Sequence, residues 1–142
     1  MMYNFRRIQK GEEASAAILE KESLRTAWSE KQISEIPENC VYLVCENGGE
    51  ICGIASIYLV FGEGEIMNIA VSQKHRRKGL AFGLMSALEK EALDKNCENI
   101  ILEVAVDNLS AISLYKKCGY APVGTRKGFY KGVDAIIMEK KL

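Results

Sequence analysis

The sequence predicts an α+β domain on a mixed, mostly antiparallel sheet, and three observations carry that expectation. Between Cys40 and Val71 lie three β-rich runs separated by the turns Asn47-Gly48-Gly49 and Gly62-Glu63-Gly64, the mark of consecutive hairpins. Past a basic loop, Leu80, Leu84, Leu88 and Ala92 recur at helical spacing, so an amphipathic helix follows the third strand. Residues 99–106, NIILEVAV, then read as another strand. Strand, helix and strand in succession require a parallel crossover, which sets residues 99–106 beside residues 66–71.

The other elements follow in chain order. Residues 3–8 suit a first strand, ended by Lys10-Gly11. Residues 12–21 have helical composition, with Ala14, Ala17, Ile18 and Lys21 on one side. Ser23 is expected to cap a second helical piece carrying Leu24 and Trp28. Ser29 followed by Gln32 opens another short helix, with Ile33 and Ile36 inward and Pro37 as its stop. Residues 40–45, 50–61 and 65–71 are the three hairpin strands. Asp107-Asn108 breaks the strand after the crossover, and residues 109–118 form a helix with Ala111, Leu114, Tyr115 and Cys118 on one stripe. Gly119 closes that helix in a left-handed conformation. Residues 120–126 and 133–140 make a closing antiparallel pair. No repeat, low-complexity tract or linker divides the chain, so residues 1–142 are expected to form a single domain.

At 142 residues, 48% hydrophobic and 27% charged, the chain has the composition of a soluble globular domain. Its formal net charge of +0 gives no reason to expect direct nucleic-acid or membrane binding. Cys40, Cys45, Cys52, Cys97 and Cys118 show neither disulfide-framework nor zinc-ligand spacing, which fits a reducing compartment and no metal. The first residues lack the apolar run of a signal peptide, and no apolar run could span a bilayer, so a cytoplasmic protein is expected.

Positive charge is concentrated in Lys74-His75-Arg76-Arg77-Lys78-Gly79, between a strand and a helix. Such a junction presents free backbone N–H groups and the positive end of a helix dipole, a setting suited to a diphosphate. Alone it would be a solvated basic turn; the strand before it and the Asn108/Tyr115 segment behind it favour the anion site. His75, the single histidine, is read as a surface residue of this loop.

The motifs NIAV, RRKGLA, LEV with DN, and AISLYKKCGY together resemble the GNAT N-acetyltransferases, and within them the bacterial ribosomal-protein-alanine N-acetyltransferases. A weaker likeness covers Ala27-Trp28-Ser29 and the tail from Asp134 to Met138. The resemblance implies helices on both faces of the sheet and a parallel strand pair splayed around an acetyl-CoA site. It implies that Arg76, Arg77, Lys78, Gly79, Leu80, Ala81 and Phe82 wrap the diphosphate, chiefly through main-chain N–H groups. Gly79 would allow a close approach or an unusual dihedral there. Ile69, Ala70 and Val71 would pair with the pantetheine arm, with the Val71 N–H as oxyanion donor.

Glu103 shares a strand face with Ile101 and Ala105, an apolar setting that suits a general base, the role the family likeness gives it. Tyr115 takes the position of the acid that protonates the departing thiolate. Asn108 would either bond the pantetheine or cap the following helix. Trp28 and Tyr130 would either line a peptide groove or simply pack.

The expected reaction moves an acetyl group from acetyl-CoA to an amine by direct attack through a tetrahedral intermediate. The subgroup's acceptor is a protein N-terminal α-amine, the alanine of a small-subunit ribosomal protein. With a pKa near ~8 against ~10.4 for lysine, an α-amine is more often neutral at pH 7. Two alternatives stand beside it: a small-molecule amine acceptor, and a non-catalytic acyl-CoA-binding sensor. Ala105 departs from the Arg that commonly follows LEV in the subgroup, which leaves the acceptor's identity open.

Overall fold

The computed structural model describes residues 2–142. One seven-stranded sheet runs in the order β1-β2-β3-β4-β5-β7-β6, from β1 (Asn4–Arg7), β2 (Cys40–Asn47), β3 (Glu50–Val60), β4 (Glu63–Val71), β5 (Asn99–Ala105), β6 (Ala121–Tyr130) and β7 (Val133–Lys141). Every neighbouring pair is antiparallel except β4 and β5, the crossover pair. Helices α1 (Glu13–Ser23) and α2 (Glu30–Ser34) contribute to one core cluster, and α3 (Leu80–Asp94) with α4 (Leu109–Lys117) to the other.

Local chemistry explains most boundaries. Leu80, Leu84, Leu88 and Ala92 are all buried, as their spacing requires. Ser29 and Gln32 form a complete capping box at α2. Gly119 has φ +98°, the left-handed geometry that ends α4.

Two expectations about the first helices fail. Ser23 ends α1 rather than capping a new helix, and residues 24–29 are irregular. The buried face of α1 is Ala16, Leu19 and Glu20, whereas Ala14, Ile18 and Lys21 are exposed. The helix is rotated because Glu20 meets hydrogen-bond donors from distant parts of the chain, which hydrophobic spacing does not reveal.

Strand β4 shapes the site. It pairs with β5 only from Glu63↔Asn99 to Ile66↔Leu102, and beyond that the two strands part. At the same point the pairing with β3 skips Met67, since Ser56 opposes Asn68 and Ile57 opposes Ile66. This β-bulge inverts the alternation. Ile66 before it and Ile69 and Val71 after it face the α3 cluster, while Ala70 turns to the α1 cluster.

Candidate active site

The parting of β4 and β5 opens a cleft of about 690 Å³. The segment from Ser23 to Thr26 lines it on one side, and Asn108, Ser110, Ala111, Leu114 and Tyr115 contribute from α4 and its N-terminus. Among the predicted residues, Ile69, Ala70, Val71, Arg76, Ala81, Glu103, Asn108 and Tyr115 line this cleft.

Backbone groups on its edges follow from antiparallel alternation. Ser72 N–H donates to the Cys52 carbonyl at 2.8 Å, so Ser72 and Cys52 form a hydrogen-bonded pair. The next pair, Val71 with Gly53, is then non-hydrogen-bonded, and Ile69 with Ala55 likewise, so Val71 and Ile69 turn N–H and C=O away from β3. The Arg76 Nε–H donates to the Val71 carbonyl at 3.2 Å, in keeping with that direction. Ala70 alternates the other way, its backbone toward Ile54 of β3 and its side chain in the α1 cluster. The expectation that Ala70 pairs with a ligand through its backbone is thereby corrected.

The loop before α3 has the form of an anion cradle. Arg77 and Gly79 both adopt left-handed backbone, φ +64° and +74°, and Arg76, Arg77, Lys78 and Gly79 are exposed. No side chain caps α3 and its first turn holds no acidic residue. The N–H groups of Leu80, Ala81 and Phe82 therefore have no intrahelical or capping partner. A Cβ on Gly79 would meet nothing within 4 Å, so the dihedral, not close packing, is what requires glycine there. Leu80's side chain is core and Phe82's is exposed outside the cleft, which limits both to main-chain contacts with a ligand. His75 is buried, contrary to its reading as a surface residue: Nδ1 lies 3.0 Å from Tyr3 Oη and Nε2 lies 3.6 Å from Glu50.

Glu103 is not set among apolar groups alone. Arg126 of β6 holds its carboxylate, with Nη1 at 3.2 Å from Oε1 and Oε2 alike. Glu65 stands close by on β4, its carboxyl pushed up first by burial and then by the charges of Glu103 and Glu63. Tyr115 is buried, and its phenol is pushed up by desolvation first, then by Tyr130 and Cys118, so it stays protonated at physiological pH. Asn108 caps α4, with Oδ1 accepting from Ala111 N–H at 3.3 Å; its amide NH₂ remains to meet a ligand. Tyr130 lines the cleft, whereas Trp28 packs against Tyr42 and Tyr58 outside it.

Arg126, Arg25 and Asp107 were not anticipated. Arg25 reaches Asp107 with two hydrogen bonds, 3.0 and 2.9 Å, and lies 5.9 Å from the centre of the Tyr130 ring. These pairings join segments far apart in sequence and leave no local signal.

A basic loop with free helix N–H groups, a strand edge that β5 leaves at the split, and a carboxylate and a phenol in one cleft fit an acyl-CoA-dependent transferase. The sequence pattern of the acetyltransferase (GNAT) family matches residues 4–120, and the chain belongs to that family. It is an acetyl-CoA-dependent N-acetyltransferase. Over 116 residues it is 31% identical to the ribosomal protein bS18-alanine N-acetyltransferase of Escherichia coli K12, covering 78% of each chain. It is 43% identical over 82 residues to an N-alpha-acetyltransferase of Saccharolobus solfataricus, covering 56% of this chain and 49% of that one. The crystal structure of the ribosomal-protein-S18-alanine N-acetyltransferase from Escherichia coli superposes with TM-score 0.89 at 28% identity, covering 99% of this chain and 94% of that one.

Proposed function

We propose that this protein acetylates the N-terminal α-amine of a protein, in the first place the N-terminal alanine of a small-subunit ribosomal protein. The chemistry rests on one observation: the edge of β4 at Ile69 and Val71, which β5 leaves past Ile66, lies in the same cleft as Glu103 and Tyr115. The acceptor rests on the names of the two relatives, both N-terminal or alanine acetyltransferases. Such a substrate is met in the cytoplasm, where we place the protein; among the described residues no helix is long and apolar enough to cross a membrane.

Acetyl-CoA supplies the acetyl group as a thioester. The free N–H groups of Leu80, Ala81 and Phe82, with the exposed loop from Arg76 to Gly79, hold its diphosphate, and the edge of β4 at Ile69 and Val71, with the Asn108 amide, aligns its arm. Glu103, oriented by Arg126, takes the proton from the incoming ammonium, which frees the lone pair that attacks. The Val71 N–H donates to the charge that builds on the carbonyl oxygen. Tyr115, kept protonated by its burial, gives its proton to the sulfur as the C–S bond breaks, and the acetylated nitrogen sheds its remaining extra proton to restore the phenol.

Two results are expected. A peptide with a free N-terminal alanine will be acetylated far faster than a blocked peptide carrying one internal lysine. Mass spectrometry of both products measures this; comparable rates would sink the N-terminal assignment, and turnover of a free polyamine alone would point to a small-molecule acceptor. Tyr115→Phe keeps the ring packing and removes the proton, so turnover should fall about 10²-fold while acetyl-CoA binding persists. Unchanged turnover would remove Tyr115 as the acid.

A further inference from the structure

Glu20 takes no part in the chemistry above, yet it is fully buried and bonded to β2, β4 and the irregular segment after α1. Its Oε1 accepts from the Trp28 backbone N–H at 2.8 Å and from Asn68 Nδ2 at 2.8 Å. Its Oε2 accepts from Tyr42 Oη at 2.5 Å. Burial raises this carboxyl's pKa, and among the described residues no cation forms an ion pair with it. A buried carboxylate without a counter-ion is costly, and an apolar residue at this helix position would avoid that cost.

The partners give the site its purpose. Asn68 lines the cleft and follows the bulge at Met67, at the start of the β4 edge that faces the cofactor. Trp28 ends the segment whose residues Leu24, Arg25 and Thr26 line the cleft on its other side. Without Glu20, hydrophobic packing and the exposed Arg25–Asp107 pair would still let that irregular segment slide over the sheet. Two hydrogen bonds to one oxygen do not.

We propose that Glu20 is a positioning residue for acyl transfer, tying segment 24–28 to β4 at Asn68 and so setting the separation of the two cleft walls. The proposal rests on the acyl-transfer reading of the cleft. Geometry is what the carboxylate provides, so Glu20→Gln should serve nearly as well. Its carbonyl oxygen can accept from Trp28 and Asn68, and its NH₂ can donate to a rotated Tyr42 hydroxyl. Glu20→Leu fills the space and ties nothing.

The test compares wild type, Glu20→Gln, Glu20→Leu and the control Leu19→Ala, which disturbs the same helix without touching these bonds. Folded Glu20→Leu is expected to lose about 10²-fold in kcat/KM, as a small misplacement of reacting groups does. Glu20→Gln should stay near wild type. Trp28 is the only tryptophan, so its emission, with amide exchange at its N–H, reads the wall's position without any acceptor. Both should change in Glu20→Leu and not in Glu20→Gln. That readout stands even if the acceptor assigned above is wrong.

The proposal is overturned if Glu20→Leu is no more impaired than Leu19→Ala at equal melting temperature, or if Glu20→Gln is as impaired as Glu20→Leu. Should Glu20→Leu not fold, Glu20→Asp keeps the charge but shortens the reach by one methylene. It is expected to lose kcat/KM with a shifted Trp28 emission, and wild-type behaviour in both would overturn the proposal equally.

Discussion

Glu103→Gln is expected to lose about 10²-fold or more in turnover at neutral pH, the usual contribution of a positioned base. An α-amine is mostly protonated there and has no lone pair with which to attack a thioester. Something must take its proton, and Glu103 lines the cleft at the split of β4 and β5. Glutamine keeps the length and still accepts from Arg126, which lies 3.2 Å from both carboxylate oxygens, so the fold and the placing of β6 should be unaffected. Acetyl-CoA affinity should change little. The deficit should shrink as pH rises past about 8, where the amine loses its proton unaided. A pH–rate profile of both proteins with saturating peptide measures this. Wild-type turnover across that range would make Glu103 a structural partner of Arg126 and place the base elsewhere.

Gly79→Val should weaken acetyl-CoA binding tenfold or more. The cost lies in the backbone, since φ is +74° and open space surrounds the missing Cβ. For an L-residue the left-handed region costs roughly 1–2 kcal/mol, and a β-branched side chain is among the least tolerant. Valine would therefore pull the loop out of shape and turn the N–H groups of Leu80 and Ala81 away from a common point. Gly79→Asn is the informative companion, because Asn visits left-handed backbone readily and should bind nearly as wild type. Calorimetry with acetyl-CoA separates the three proteins. Equal affinity of the valine variant would remove this loop from the site.

The elements whose information is local were legible in the chain. Leu80, Leu84, Leu88 and Ala92 are buried because a four-residue recurrence leaves a helix only one way to face a sheet. The Ser29–Gln32 box and Gly119 ended or began helices where their hydrogen bonds and dihedrals dictate. The basic loop, Glu103 and Tyr115 stand out in the sequence because they lie in recognisable short motifs, and the fold sets Glu103 and Tyr115 along one cleft.

Other positions were decided only when the chain closed on itself. Ala70 follows the antiparallel alternation toward β3, while Ile69 and Val71 turn to the cleft, and this hangs on where Ser72 meets Cys52. Glu103 gains Arg126 from a strand more than twenty residues away. Glu20 turns inward, against the apolar stripe one would draw on α1, because Trp28, Tyr42 and Asn68 bring their donors to one point. Periodicity and turn chemistry act over a few residues, and so by itself the sequence determined the strands, α3, α4 and the crossover, but not the helical piece expected after Ser23 or the buried face of α1. Pairings between buried polar groups depend on distances across the fold, and only the tertiary structure could decide them.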